Sequence, residues 1–337
     1  MDFYVKDWAE IADKYERAGL VAGNGLSIHI SQSFSYPNIF EQAKAHLSKD
    51  ELHFFIAKFT MDFEEIISFL ESEKYNDTAS HSIEKIENYL KNIKRIFQKI
   101  LILNIKKIQD GGKLKAMSEF LMHFKVVCCL NYDTVVYSSM LNKSECMNDG
   151  FRPGNYLGLR FLNDKFSSDW KDVKKTTLVF PHGNLFYYQE GDFIKKLKSG
   201  DINFLDTIDK QLNDDKVSLT VMEGQSSHKI KCIKKNDYLK TVFEKLSDMP
   251  ENLVFYGWGM AERDTHIKEK IFSSAKTKRI AISVLPHEDE ICRNKIFYKI
   301  SELWVKTHGW SSYPAIEFFC AHSIQSWYRT KYGTKFT

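Results

Sequence analysis

The sequence predicts an α/β fold: a Rossmann-like, mostly parallel sheet that carries a large helical insertion. After residue 125, short apolar runs alternate with amphipathic helical stretches, as in strands joined by crossover helices. From residue 52 to residue 121 the pattern is helical, with Gly111-Gly112 as the obvious break. We therefore assign residues 1–49 and 125–337 to one α/β domain and residues 50–124 to the insertion.

The α/β domain begins with a helix predicted over residues 8–18 and a short strand over residues 20–22. Its later strands are short apolar runs, predicted over residues 126–130, 178–180, 217–221, 253–256, 280–285 and 316–319. Helices over residues 238–246 and 266–275 separate some of these strands. The polar stretch 165–175 is predicted to be a surface loop.

The insertion contains an apolar seam that is typical of a helix packed lengthwise on another helix. Its residues alternate spacings of three and four: Ile83, Ile86, Leu90, Ile93, Phe97 and Ile100. Burial within one subunit and contact in a homo-oligomer both fit this pattern. Basic residues accompany the seam: Lys91, Lys94, Arg95, Lys99, Lys106 and Lys107. We favour a solvated helix face for them over a nucleic-acid partner.

Composition and charge limit the possible partners and the location of the protein. A formal net charge of +4, from 48 basic and 44 acidic residues, is too balanced to indicate nucleic-acid binding. The six cysteines form no CxxC pair and no Cys/His spacing typical of zinc, so we expect reduced thiols and no metal. No basic leader and no apolar stretch of about 18 residues occurs. These features predict a cytoplasmic protein with no membrane partner.

The first of three short motifs is Gly23-Asn24-Gly25-Leu26-Ser27, which directly follows an apolar strand. Its glycines would permit a tight turn and let the amides of the next helix approach a pyrophosphate. A plain structural turn is the alternative, since the GxGxxG fingerprint and the GxxxxGK[ST] motif are both missing from the sequence. Ser27 is expected to cap the helix, to donate to a phosphate, or to do both.

The second and third motifs place polar side chains just beyond two other strands. Asn131 and Asp133 lie two residues apart, so a strand-like exit points both side chains in one direction, although an Asx turn is the alternative. His182 precedes Gly183 on a short loop and is the candidate general base, because an unperturbed His titrates near physiological pH. Since the carboxyl ends of parallel strands share one edge, the three motifs predict a nucleotide site.

A fourth motif, Gly257-Trp258-Gly259 followed by Asp264 and His266, also comes between a strand and a helix. It is expected to close the other side of the same cleft. Asp264 has two open interpretations, as a ligand contact or as the N-cap of the following helix.

In this order and spacing the motifs resemble those of the sirtuin-like NAD-binding proteins, in the bacterial branch without the zinc module. Residues 23–27 resemble the family's GAGxS phosphate loop, with Asn24 in place of the usual alanine. Residues 129–133 resemble its TxNYD segment, and residues 182–183 resemble its catalytic HG. Residues 257–264 resemble, more loosely, a later glycine and acidic segment near the cofactor.

This resemblance implies an NAD⁺ glycohydrolase (NADase), a hydrolase that cleaves the nicotinamide N-glycosidic bond to give nicotinamide and ADP-ribose. Relatives without the zinc module include NAD⁺-hydrolysing enzymes of antiphage defence, which implies abortive infection by NAD⁺ depletion. Sirtuin deacylases normally hold zinc with two cysteine pairs, and this sequence offers no such pairs, so peptide deacylation is not expected. The alternative is a non-catalytic NAD or ADP-ribose sensor within a defence complex.

The resemblance also implies a role for each candidate residue. The cofactor-binding residues are Gly23, Asn24, Gly25, Ser27, Gly257, Gly259 and Asp264. Asn131 orients the ribose or the attacking water, His182 accepts a proton, and Asp133 orders the pocket. Because a constitutive NADase would be toxic, activity is expected to stay low until homo-oligomerisation, a partner protein or an infection signal rearranges the cleft.

Two further segments resemble an uncharacterised bacterial subgroup that carries a helical insertion. They are Phe34-Ser35-Tyr36, before the insertion, and residues 62–64, within it. This second resemblance implies no chemistry.

Overall fold

The computed structural model describes most of the chain, and its strands form two sheets. The described residues are 4–74, 82–108, 111–153, 159–191, 193–197, 204–213, 218–222, 224–286, 290–310 and 313–324. The strands are β1 (Val5–Lys6), β2 (Gly19–Ala22), β3 (Val126–Cys129), β4 (Met147–Asn148), β5 (Phe151–Pro153), β6 (Leu159–Phe161), β7 (Thr176–Val179), β8 (Gly183–Glu190), β9 (Phe193–Lys196), β10 (Ser218–Thr220), β11 (Asn252–Tyr256), β12 (Arg279–Val284) and β13 (Ala315–Cys320).

The described helices surround the two sheets and form the insertion. They are α1 (Trp8–Ile11), α2 (Asn24–Ile30), α3 (Tyr36–Ala43), α4 (Lys49–Ala57), α5 (Phe63–Glu73), α6 (Ile83–Lys106), α7 (Gly111–Met122), α8 (Val135–Met140), α9 (Asn163–Lys171), α10 (Phe204–Asn213), α11 (Ser226–Lys234), α12 (Asp237–Lys245), α13 (Thr265–Ile271) and α14 (Glu290–His308). Among them, none has both the length and the apolar composition that spanning a bilayer requires.

The larger sheet has eight strands in the order β1-β13-β12-β11-β2-β3-β7-β4, and every neighbouring pair is parallel. Strand β2 lies at its centre, with Leu20 opposite Val254 of β11 on one side and Val127 of β3 on the other. From β2 the order runs outward through β3 and β7 on one side and through β11, β12 and β13 on the other, as in a doubly wound sheet, and the short strands β4 and β1 lie at the two edges. The predicted α/β fold with a Rossmann-like parallel sheet is therefore confirmed.

The smaller sheet is antiparallel, in the order β10-β8-β9-β6-β5, and it was not predicted. The prediction that residues 217–221 form a strand of the parallel sheet was wrong. Its residues 218–220 form β10, which pairs with β8 in the smaller sheet, and residue 217 lies outside the described ranges. A short apolar run indicates burial but does not specify which strand it joins.

The prediction of a surface loop over residues 165–175 was also wrong, because most of that stretch belongs to α9. Phe166 and Trp170 lie one helical turn apart and are buried, as is Asp169 between them. The Asp169 carboxylate accepts from Arg152 at 3.1 Å and from Lys165 at 2.6 Å. Helix α9 is polar in composition, but one of its faces is buried, and the ion pairs of Asp169 stabilise that face.

The insertion shares one hydrophobic core with the sheet domain. Phe63 of α5 stacks on Phe97 of α6 with ring centroids 5.1 Å apart. The predicted seam on α6 is buried within this chain, except that Ile83 is 59 % exposed at the start of the helix. Among the accompanying basic residues, Lys94 pairs with Glu71 and Lys106 pairs with residues of α10.

Two glycines bring the ends of the adjacent strands β2 and β11 into direct backbone contact. A Cβ on Gly257 would lie 2.5 Å from the Gly25 Cα, and a Cβ on Gly25 would lie 2.6 Å from the Gly257 Cα. Gly257 also has a φ of +60°, in the left-handed region that favours glycine. This contact fixes the position of the turns that follow both strands.

We predict that Gly257→Ala destabilises the chain by about 2 kcal/mol or more, since the added methyl group meets backbone and the φ is strained. Gly259→Ala is the matched control, because a Cβ on Gly259 has no neighbour within 4 Å among the described residues. Urea unfolding of both variants measures the difference. Equal stability of the two variants would contradict the proposed close packing.

Candidate functional site

The candidate site is a cavity of about 240 Å³ at the carboxyl edge of the larger sheet. The predicted site residues that line it are Gly23, Asn24, Asn131, Asp133, His182, Gly257, Gly259 and Asp264. The structure thus brings all four motifs together around one cavity. Gly25 and Ser27 are not among its lining residues and lie behind its wall.

The glycine loops use their amides for contacts with each other. The Gly23 amide donates to the Tyr256 carbonyl at 2.9 Å, and the Gly25 amide donates to the Gly257 carbonyl at 2.9 Å. These two donors are therefore engaged, and one of them, Gly25, belongs to the helix whose amides were predicted to approach a pyrophosphate. The glycines are needed here because two backbones meet at a distance that a side chain would prevent.

Asn131 and Asp133 are joined through Ser27 in a buried hydrogen-bond network. The Asn131 amide nitrogen donates to the Ser27 Oγ at 2.8 Å and to the Gly23 carbonyl at 3.1 Å. Ser27 donates to the Asp133 Oδ2 at 2.6 Å, and the Val135 amide donates to its Oδ1 at 2.8 Å. Ser27 lies within α2 and therefore does not cap that helix. It is also not among the residues that line the cavity.

Burial raises the pKa of the Asp133 carboxyl to about 6, although the hydrogen bonds from Ser27 and Val135 act in the opposite direction. The Asp133 carboxyl therefore titrates closer to neutral pH than an ordinary aspartate does. Its backbone carbonyl also accepts from the amide of Asn184 at 2.7 Å. These contacts hold the segment after β3 in one conformation.

His182 is buried and is hydrogen-bonded to a second histidine. Its Nε2 lies 3.0 Å from the Nε2 of His266, whose Nδ1 lies 3.2 Å from the Ser226 Oγ. Burial, with the nearby charge of Lys229, lowers the pKa of His182 to about 3. Burial and the proximity of His182 lower the pKa of His266 to about 2. Both imidazoles are therefore neutral at physiological pH.

Glu64, which no chemical prediction included, is the centre of a buried charge cluster in the cavity wall. Its Oε2 lies 3.1 Å from the Lys229 Nζ and 3.5 Å from the Arg263 Nε. Tyr36 donates to its Oε1 at 2.9 Å, and Tyr132 donates to its Oε2 at 3.2 Å. Burial alone would raise the pKa of Glu64, but the two cations lower it to about 2, so the carboxylate is ionised.

The remaining charges of the cluster extend along the same wall. Arg263 pairs with Asp62 at 2.7 Å, and Lys229 lies 3.4 Å from the Asp264 Oδ1. Asp264 occupies the N-cap position of α13 but makes no side-chain capping bond; its Oδ2 accepts from the Trp258 Nε1 at 3.2 Å. The side chain of Asp264 therefore does not cap α13.

The helical insertion supplies the wall that sequence reasoning missed. Glu64, Phe97 and Leu101 line the cavity from α5 and α6, opposite the strand ends. The segments 34–36 and 62–64, whose resemblance implies no chemistry, contribute Tyr36 and Glu64, and these two residues are hydrogen-bonded to each other in the cavity lining. Asp62, in the same segment, starts α5 because its side chain accepts from the Glu64 amide at 2.9 Å.

The chemistry of the cavity suits a polar organic ligand. It combines the carboxylate of Glu64, the carboxyl of Asp133 and the amide of Asn131 with the aromatic walls of Phe97 and Trp258. In the part of the chain that the structure describes, no group of three or more His, Cys, Asp or Glu residues is arranged to hold a metal ion. Its volume of about 240 Å³ is below the range of about 300–1,000 Å³ that is typical of pockets for drug-sized ligands, so the cavity itself encloses only a small group.

Comparison with known proteins places the chain in a family. The model of a domain of unknown function, DUF4917, matches residues 20–327, and the chain therefore belongs to this family. No curated protein matches it. The resemblance to sirtuin-like proteins remains a prediction from the motifs.

We predict that acid destabilises the native chain partly through the histidine pair. A histidine with a folded pKa below its ordinary value of 6.5 binds fewer protons when folded, so its contribution to stability is lost as the pH falls below 6.5. Between pH 7 and pH 5 the loss is about 2 kcal/mol for each such histidine. Asp133, whose folded pKa is raised, contributes the opposite slope between pH 6 and pH 4.

The variant His266→Gln isolates this effect, because its amide can still donate to His182 while it cannot titrate. Urea unfolding at pH 7 and pH 5 should show a smaller acid-induced loss in the variant, by about 2 kcal/mol. The Asp133 contribution is present in both proteins and cancels in the difference. Identical pH dependence of the two proteins would reject a neutral buried His266.

Proposed function

We propose that this member of the DUF4917 family is an NAD⁺ glycohydrolase that hydrolyses the bond between nicotinamide and ribose in the described cavity. The observation that carries the proposal is the convergence of Asn131, Asp133 and His182 in one cavity with the glycine turns of β2 and β11. Their order and spacing resemble the sirtuin-like NAD-binding proteins. The products are nicotinamide and ADP-ribose.

The cavity is proposed to hold the ribose and nicotinamide, with the remainder of NAD⁺ extending from its opening. Asn131 donates through its amide nitrogen to Gly23 and Ser27, so its amide oxygen is the atom that can accept from a ribose hydroxyl or the attacking water. Asp133 holds this arrangement through Ser27. The nicotinamide of NAD⁺ is already cationic and leaves without a strong acid, so positioning supplies most of the catalysis.

His182 is the proposed proton acceptor, and its hydrogen bond with His266 is a restraint on that role. Its Nε2 lies 3.0 Å from His266, so accepting a proton from water requires this contact to rearrange. The arrangement fits an enzyme held at low activity until homo-oligomerisation, a partner protein or an infection signal changes the cleft. This is the proposed link to antiphage defence by NAD⁺ depletion.

The engaged state of His182 also favours a second candidate function, a non-catalytic NAD or ADP-ribose sensor. Titration calorimetry separates the two functions. Saturable binding of NAD⁺ without release of nicotinamide, in the presence of candidate activating partners, supports the sensor.

We predict that the purified chain releases nicotinamide from NAD⁺ and that Asn131→Ala lowers turnover by about 100-fold, because the ribose or water loses its positioning contact. Asn294→Ala on α14 is the matched control, since Asn294 is outside the residues that line the cavity. Chromatography of nicotinamide and ADP-ribose measures both. Equal turnover of the native chain and Asn131→Ala would reject this site assignment.

We also predict that cells expressing the native chain lose NAD⁺ after phage infection, whereas cells expressing Asn131→Ala keep it. The proposed reaction consumes the dinucleotide only when the site is intact and activated. Cellular NAD⁺ is measured with and without phage at matched expression. The same NAD⁺ level in infected cells of both strains would count against a role in defence.

A further inference from the structure

We propose that Glu64 is the residue that stabilises the positive charge developing on the ribose during N-glycosidic cleavage. The inference rests on the proposed function and adds a residue from the helical insertion to the reacting site. It follows from where the side chain lies, from its charge and from the chemistry of the bond.

The position of Glu64 is fixed on the cavity side of α5. The residue is 8 % exposed and lines the cavity together with Asn131 and His182. Its Oε1 accepts from Tyr36 and its Oε2 accepts from Lys229, which restrains the side chain from rotating away. The carboxylate is therefore preorganised, so it needs no reorientation when a charge develops nearby.

The charge of the cluster around Glu64 has an excess of carboxyl groups over cations. The carboxyl groups are Asp62, Glu64 and Asp264, and the cations are Lys229 and Arg263. Each cation contacts two carboxylates, so neither neutralises the cavity alone. Because the side chains of Glu64 and Lys229 are buried, their charges are screened less than they would be in bulk solvent.

The reaction develops positive charge on the ribose. The bond between ribose C1′ and the pyridinium nitrogen breaks, both electrons leave with nicotinamide as a neutral molecule, and the ribose becomes an oxocarbenium ion. A water oxygen then bonds to C1′, and one water proton is released to a base and then to solvent. The products are nicotinamide, ADP-ribose and one proton. In the substrate the positive charge lies on the pyridinium ring, so an ionised carboxylate beside the ribose stabilises the oxocarbenium-like transition state more than the substrate.

Glu64 fits this role better than the other two cavity carboxyl groups. Burial raises the pKa of the Asp133 carboxyl to about 6, and its partners Ser27 and Val135 are uncharged, whereas two cations hold Glu64 in its ionised form. Asp264 contacts one cation, Lys229 at 3.4 Å, whereas Glu64 contacts both Lys229 and Arg263. Glu64 combines full ionisation with a place beside Asn131 in the cavity lining.

The test is the steady-state kinetics of Glu64→Gln with NAD⁺, measured beside Glu64→Asp. Glutamine keeps the shape and loses the charge, so kcat should fall by about 100-fold while KM changes by less than about threefold. Aspartate keeps the charge and should restore at least about one tenth of the native kcat. Glu65→Gln is the matched control, because Glu65 is the exposed neighbour on the same helix and accepts from Thr60.

Binding of ADP-ribose, which carries no developing charge on its ribose, separates this role from a structural one and should be unchanged in Glu64→Gln. If the single variant fails to fold because Lys229 loses its partner, the double variant Glu64→Gln/Lys229→Met removes both halves of the pair and should show the same loss of kcat. A native-like kcat in whichever variant folds overturns the inference alone. A native chain that never cleaves NAD⁺ overturns the proposed function and this inference with it.

Discussion

The buried carboxylate of Glu64 is the interaction on which the cavity depends, because it binds four separate parts of the chain. It accepts from Tyr36 of α3 and Tyr132 after β3, and it pairs with Lys229 of α11 and Arg263 before α13. A buried ion is tolerated only while its partners are in place, since desolvation is not otherwise compensated. The insertion therefore docks in one position and forms a wall of the site.

Much of the parallel sheet could be predicted because its strands are buried on both faces and are continuous apolar runs. The smaller sheet escaped prediction, since β8 and β9 mix aromatic with charged residues and lack such runs. Helix α9 was missed because Asp169 occupies a buried position, where its charge is balanced by Arg152 and Lys165. The sequence shows that a side chain is polar, but it does not show which residue pairs with that side chain in the fold.

The site residues that were predicted are recognisable from their local sequence position, whereas those that were missed depend on a partner far away in the sequence. Asn131, Asp133 and His182 could be found because each directly follows a strand or precedes one, and parallel strands end at a common edge. Glu64 and Lys229 could not, because their pairing spans 165 positions of the sequence. No local pattern encodes a contact across that distance. The motif at residues 62–64 was visible in the sequence, but its chemistry required the fold.

The acid–base state of the cavity is coupled to the packing of the insertion through one shared cation. Lys229 lies 3.1 Å from the Glu64 carboxylate, and its charge also lowers the pKa of both His182 and His266. The Glu64 carboxylate offsets part of that field, since it raises the pKa of His182. A displacement of α5 away from Lys229 therefore leaves less compensation and lowers the proton affinity of the imidazole further. The position of the insertion and the pKa of His182 therefore depend on the same two charges, those of Glu64 and Lys229.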